Sequence, residues 1–168
     1  SLFSPQLPDL GQVALLQEAF GRIGETAPER LLHYPTRDAY RPLREAAVYW
    51  LRSIPLGRID ESDVVIVHGA QNGLSVILQA ILHGPRPTVL VEDMAYPGFR
   101  RTADLLRADV VGLPSDDKGL LTVALAGIAR KTGAQVLCTS PDVRNPTLTC
   151  TPSERRAAIA EVCRAMGI

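Results

Sequence analysis

The side chains that could do chemistry fall in four short stretches of the 168-residue chain: Gly69-Ala-Gln71, Glu92-Asp-Met-Ala-Tyr96, Pro114-Ser-Asp116 and Ser140-Pro-Asp-Val-Arg-Asn145-Pro-Thr147. Each closes or follows a short apolar run: Val64–Val67, Thr88–Glu92, Asp109–Leu113 and Gln135–Thr139. In open α/β sheets, ligands collect outside the carboxyl ends of the strands. The run Val64–Val67 reads as a strand buried on both faces, and it breaks at Gly69. A helical stripe of Leu74, Ile77, Leu78 and Ile81 follows at once. A strand that turns at a glycine into a helix leaves unpaired backbone N–H groups at the positive end of the helix dipole, which suits an anion such as phosphate. Tyr96 offers an aromatic plate and Asn145 a buried amide. Together these suit a flat, anionic ring ligand. Taken singly, Gly69 reads as a strand cap, and Tyr96-Pro-Gly98 and Asn145-Pro146 read as turns. His68 is the one histidine beside this candidate anion site, and a structural role accounts for it more simply, as it does for His33 and His83.

Those stretches need elements to position them. Residues 1–62 read as an N-terminal arm and helices. Ser1–Gly11 is an extended arm rich in Pro and polar residues. Val13, Leu16, Phe20 and Ile23 mark a helical face that Gly21 and Gly24 are expected to end. Pro28 opens a short helical piece through Leu32. Pro35 biases Tyr34 toward an extended conformation. Asp38 is expected to cap a helix whose apolar positions are Leu43, Ala46, Ala47, Trp50 and Leu51, ending before Pro55-Leu-Gly57. Residues 63–168 alternate strand and helix. Helices are expected over Asn72–Leu82, Gly98–Leu106, Leu121–Lys131 and Ser153–Met166, with a turn at Asp116–Gly119. Strands separated by helices pair in parallel through right-handed crossovers, so the fold class is α/β, a three-layer α/β/α arrangement with a mostly parallel sheet.

Composition narrows the function classes. A formal net charge of zero gives this segment no general attraction to nucleic acid or anionic lipid. No apolar run approaches the ~20 residues of a membrane span, and Ser1-Leu-Phe-Ser-Pro5 lacks the basic start and apolar core of a signal peptide. Cys138, Cys150 and Cys163 have neither metal nor redox spacing and read as reduced thiols in a cytoplasmic protein. GxGxxG, Walker, HExxH, GxSxG and paired CxxC patterns are all absent. No metal site and no catalytic residue is assigned.

The motifs, in order, resemble the first part of the large domain of fold-type-I pyridoxal-phosphate enzymes, the class I/II aminotransferases. The nearest likeness is to the aminotransferase-like effector domain of MocR-type regulators of the GntR superfamily. The resemblance is carried by Leu7-Pro-Asp9, Tyr34 with Tyr40-Arg-Pro-Leu-Arg-Glu-Ala46, Val67-His-Gly-Ala-Gln71, Val91-Glu-Asp-Met-Ala-Tyr-Pro-Gly98 and Ser140-Pro-Asp-Val-Arg-Asn-Pro-Thr147. It implies pyridoxal 5′-phosphate as cofactor. By this likeness Ala70 and Gln71 hold the phosphate, Tyr96 stacks on the pyridine ring, and Asn145 hydrogen-bonds the phenolic oxygen and favours its ionised form. It also implies that Tyr34 reaches a partner's phosphate in a homodimer. Arg41 and Arg44 read as surface or interface charges.

Three departures stand out. Leu148 replaces the glycine that usually follows Asn-Pro-Thr, Ala39 stands where a glycine commonly follows the Tyr34 loop, and the arm reads Pro5-Gln6-Leu7-Pro8 without a glycine. The family's Schiff-base lysine, its partner aspartate for the ring nitrogen and its carboxylate-gripping arginine come later than the part matched here. Lys118 and Lys131, the only lysines, do not correspond to that lysine. The chain is thus expected to be the first half of the domain, with Val64–Val67 short of sheet neighbours. The leading expectation is a cofactor-binding effector domain that senses a small amine, an amino acid or the cofactor, in a regulator whose DNA-binding module lies outside this segment. An amino-acid aminotransferase is the alternative, and a scaffold without cofactor is a third reading.

Overall fold

The computed structural model describes residues 8–54 and 56–168, so the arm as far as Leu7, and Pro55, lie outside the described residues. Two compact units divide the chain, one ending at Ile66 and the other running from Val67 to Ile168.

The first unit is helical. Helix α1 spans Gln12–Thr26. The Asp9 carboxylate accepts hydrogen bonds from the N–H groups of Gly11 at 2.9 Å and Val13 at 3.4 Å, which satisfies donors that a helix start leaves free. Gly21 and Gly24 do not end the helix. It continues to Thr26 and stops before Pro28, which opens a 3₁₀ turn over Pro28–Leu31. A glycine costs a helix only about 1 kcal/mol, whereas proline removes a backbone donor. A further 3₁₀ turn, Asp38–Tyr40, leads into α2, Arg41–Leu51. Asp38 does not cap it. Its carboxylate accepts from Arg41 instead, and the Thr36 hydroxyl takes the Ala39 N–H at 3.3 Å. Leu43 and Trp50, two of the helix's apolar positions, are exposed. The buried residue of α2 is Arg44, which corrects its reading as a surface charge. Its guanidinium meets the Glu61 carboxylate at 2.8 Å and donates to the Arg37 carbonyl at 2.7 Å, so a charge paired on several sides replaces an apolar side chain.

Val64–Val67 forms no strand. Val64 has extended backbone angles, yet no ladder joins this segment to another among the described residues. Val65 is 75% exposed, so the expectation of burial on both faces fails as well. The local conformation follows from β-branching, but a strand requires a hydrogen-bonding neighbour.

The second unit is the three-layer part. Helix α3 spans Ala70–Ile81, strand β1 Thr88–Glu92, helix α4 Pro97–Leu105 and strand β2 Asp109–Leu113. A short antiparallel hairpin, β3 Ser115–Asp116 with β4 Gly119–Leu120, carries the expected turn. Helix α5 Thr122–Thr132, strand β5 Val136–Cys138 and helix α6 Ser153–Met166 complete the unit. The sheet order is β2-β1-β5, with both pairings parallel. Alternation along β1 divides the core. Val89 and Val91 pack with Leu78 and Ala103 on one side, and Leu90 packs with Leu125 and Ala129 on the other. Ile77 and Ile81 are exposed, so the stripe of α3 is narrower than its sequence suggests and centres on Leu78.

Two outcomes are expected. Leu90→Ala removes a fully buried side chain between β1 and the α5–α6 layer. It should lower the unfolding free energy by about 2–5 kcal/mol in urea titrations. Burial pushes the Cys138 thiol up to about 11, so roughly one thiol in a thousand is ionised at pH 8. Cys163 is raised in the same direction, while Cys150 is exposed. Alkylation at pH 8, followed by peptide mapping, should therefore modify Cys150 first and Cys138 last.

Candidate functional site

The first turn of α3 is shaped by Gly69, whose φ of 86° lies in the region that penalises any Cβ. A Cβ there would meet nothing, so the backbone angle and not the space calls for glycine. The Asn72 side chain accepts the His68 N–H at 3.1 Å, and the Gly73 N–H returns to the Gly69 carbonyl at 3.0 Å. The N–H groups of Ala70 and Gln71 belong to the first turn and have no carbonyl of their own helix to reach. Ala70 is exposed and Gln71 half-buried. His68 thus contributes its backbone to the loop.

The Gln71 side chain does more than its sequence neighbours suggest. The Tyr96 hydroxyl donates to Gln71 Oε1 at 3.3 Å. Gln71 Nε2 donates to the Gly98 carbonyl at 3.4 Å and to the hydroxyl of buried Thr102. Gly98 is enforced by contact: a Cβ there would lie 2.1 Å from Tyr96 Cε1 and 2.2 Å from Gln71 Oε1. The Tyr96 ring also meets Phe99 edge-on, with centroids 5.8 Å apart. One amide therefore joins the start of α3 to the start of α4 and fixes where the aromatic ring stands.

Asn145 is held from a different direction. It is exposed, which corrects the expectation of a buried amide: the loop turns the preceding Arg144 inward instead. Arg144 Nη1 donates to Glu92 Oε1 at 3.1 Å, linking the loop after β5 to the end of β1. Its Nε donates to the Thr147 hydroxyl at 2.8 Å, and its backbone N–H donates to the Thr149 carbonyl at 2.9 Å. Leu148 has φ of 59°, so it adopts the conformation that glycine favours without being glycine. Outside this inner grip, Arg156 of α6 donates to Asp142 Oδ2 at 3.0 Å and to the Thr151 carbonyl at 2.7 Å. The hydrogen bond from Arg156 holds the Asp142 carboxyl below its usual range, so this contact is present above ordinary carboxylate pKa values and is lost on acidification through the lowered one.

The structure thus brings Gln71 and Tyr96 into one network, leaves Ala70 exposed beside Gln71 and outside that network, and places Asn145 on a loop bonded to Glu92, four residues before Tyr96. Tyr34 lies in the first unit, 98% exposed, and lines an open groove with Pro35 and Thr36. Lys118 sits in the β3–β4 turn and Lys131 in the last turn of α5, where its charge complements the dipole. Sequence reasoning assigned no role to Glu92, Thr102 or Arg144. The available signal was a charged residue closing an otherwise apolar strand and a second one inside the motif that carries Asn145. The groups fit a phosphorylated aromatic ligand of the pyridoxal-phosphate kind: free N–H donors at a helix start for the phosphate, a half-exposed tyrosine for the ring, and an exposed amide for a ring oxygen. No group of acidic, histidine and cysteine side chains capable of holding a metal occurs among the described residues, and no described helix is long and apolar enough to cross a membrane.

Residues 5–168 match the family model described as aminotransferase class I and II. The chain is 29% identical over 153 residues to the uncharacterized HTH-type transcriptional regulator YdfD of Bacillus subtilis, covering 91% of this chain and 29% of that protein. It is 33% identical over 104 residues to the HTH-type transcriptional regulator TauR of Rhodobacter capsulatus, covering 62% of this chain and 20% of that protein. Among solved structures, the α-aminoadipate aminotransferase LysN of Thermus thermophilus superposes with a TM-score of 0.80 at 24% identity, over 90% of this chain and 37% of that one, a likeness of fold. The chain thus spans less than a third of the length of either regulator.

Gly98→Ala is the sharpest test of this geometry. The added methyl group should displace the Tyr96 ring, lower stability by about 1–3 kcal/mol, and shift the Tyr96 ring resonances while leaving those of Val89–Val91 in place. Unchanged Tyr96 resonances would contradict the packing described.

Proposed function

Because the chain belongs to the aminotransferase class I and II family, we propose that it binds pyridoxal 5′-phosphate at the carboxyl ends of β1 and β5, as part of the effector domain of a GntR/MocR-type transcriptional regulator. The observation that carries the site is the Gln71 amide bonded to the Tyr96 hydroxyl, which couples a helix-start anion cradle to an aromatic ring. The regulator reading is supported by HTH-type regulators among the relatives. In this reading the N–H groups of Ala70 and Gln71 bind the phosphate, Tyr96 stacks on the ring, and Asn145 donates to the phenolic oxygen and stabilises its ionised form. When bound, the cofactor supplies an electron sink for bonds next to an amine nitrogen. In the same reading Tyr34, an exposed residue of the first unit, reaches the phosphate of a second copy in a homodimer. The ligand sensed is a small amine or amino acid, DNA is contacted by a module outside this segment, and the protein acts in the cytoplasm. The fold likeness to solved aminotransferases supports a second reading, the N-terminal part of an amino-acid aminotransferase.

Pyridoxamine 5′-phosphate is the suitable probe, since it needs no lysine. In ¹⁵N-resolved NMR titrations it should shift the Ala70 and Gln71 amides, and Asn145→Ala or Tyr96→Ala should weaken binding about tenfold, as expected for loss of a hydrogen bond to a charged group or of a ring contact. No shift at Ala70 and Gln71 would sink the cofactor reading. A winged-helix coding region in frame upstream supports the regulator. A start codon directly before Ser1 supports the enzyme.

A further inference from the structure

Resting on the cofactor reading above, we propose that Arg144 is the positioning residue for Asn145, and that the buried Glu92–Arg144 pair exists to set that position. Arg144 is 4% exposed and Glu92 1%. The guanidinium has partners on three sides: Glu92 Oε1 at 3.1 Å, the Thr147 hydroxyl at 2.8 Å and the Thr149 hydroxyl at 3.5 Å. The Thr149 hydroxyl in turn donates to that of Thr147 at 2.9 Å. The backbone closes the same loop, because the Leu148 N–H donates to the Arg144 carbonyl at 2.6 Å and the Arg144 N–H to the Thr149 carbonyl at 2.9 Å. Asn145 is therefore the exposed residue next to the fixed point of a loop whose other stations are bonded to that point.

Two features argue that the pair serves geometry more than stability. Glu92 Oε2 is buried without a hydrogen-bond partner among the described residues, so the pair is incompletely satisfied. An ion pair taken out of water in that condition is a weak source of stability, whereas its directional bonds still fix register. The loop is also strained where glycine would be at ease, with φ of 43° at Val143 and 59° at Leu148. Such a backbone persists only when its surroundings over-determine it, and Arg144 supplies that constraint from inside. Glu92 ends the central strand, so the anchor point belongs to the most buried element of the unit.

The experiment uses the 168-residue chain, with backbone and side-chain amides assigned. Two variants are compared with the parent. Glu92→Gln with Arg144→Gln removes both charges and keeps hydrogen-bonding side chains. Arg144→Lys keeps the charge opposite Glu92 but cannot span Thr147 and Thr149. Amide exchange is read without ligand, and the Asn145 side-chain amide is followed during titration with pyridoxamine 5′-phosphate. In both variants the amides of residues 144 and 148 should exchange at least about tenfold faster while those of Val89–Val91 keep their protection. The probe should still shift Ala70 and Gln71 but no longer the Asn145 side-chain amide. Parent-like protection at 144 and 148, or an Asn145 amide that still shifts as in the parent, would overturn the proposal. If the double variant loses protection in β1, Arg144→Lys decides alone. If the parent shifts Ala70 and Gln71 but not Asn145, the positioning role falls and the cofactor reading stands. If the parent shifts none of the three, both fall.

Discussion

Strand β1 is the constraint on which the second unit depends. It hydrogen-bonds on both edges, to β2 and to β5, and it is buried on both faces. Val89 and Val91 belong to the core beneath α3 and α4, and Leu90 to the core beneath α5 and α6. Each fully buried aliphatic side chain contributes on the order of 1.5–3 kcal/mol, and here the contributions act through one short backbone segment. Both helical layers pack on it, together with residues of β2 and β5. The strand also ends in Glu92, so the element with the least freedom to move is the one from which the site is hung.

That arrangement explains why charges sit where apolar residues would be cheaper. Removing one member of a buried pair leaves an uncompensated charge at a cost of about 3–5 kcal/mol, although the intact pair adds little. Arg144 with Glu92 in the second unit has this character, whereas Arg44 in the first unit pairs with the partly exposed Glu61. Each arginine also donates to groups on the connecting segments, namely the Arg37 carbonyl and the threonine hydroxyls. Arginine's planar fork allows one side chain to fix several strands of irregular chain at once. Loops that cannot form ladders are held in this way, and the surfaces they carry become defined.

Much of the second unit was legible in the sequence. Thr88–Glu92, Asp109–Leu113 and Ser153–Met166 have the expected bounds, because strong β-branched runs and a Pro-Ser helix start leave few alternatives. Val64–Val67 misled as a strand because its composition speaks for extended backbone, whereas a ladder needs a neighbour; the expected shortage of sheet neighbours agrees with its lack of a ladder among the described residues. The first unit misled over burial: Leu43 and Trp50 have the period of a core stripe, yet the buried side chain of α2 is Arg44. Periodicity marks a face, but it does not say what lies against it. At the candidate site, Tyr96, Gln71 and Asn145 were singled out because their residue types suit a ligand. Glu92, Thr102 and Arg144 were not, because their roles depend on bonds to residues far away in sequence. The Leu148 departure was visible, and its consequence, a non-glycine residue at positive φ, needed coordinates.

The bond between the Tyr96 hydroxyl and the Gln71 amide has a mechanical consequence. An aromatic ring that turns to meet a ligand must release or strain that bond, and Gln71 sits in the first turn of a helix whose later turn buries Leu78 in the core. In the proposed site, ring occupancy and anion occupancy would therefore not be independent events. By linkage, whatever ordering one imposes on this amide alters the affinity of the other by the same factor. In the proposed site, a molecule that supplied only the phosphate or only the ring would load one end of this bond and leave the other unchanged.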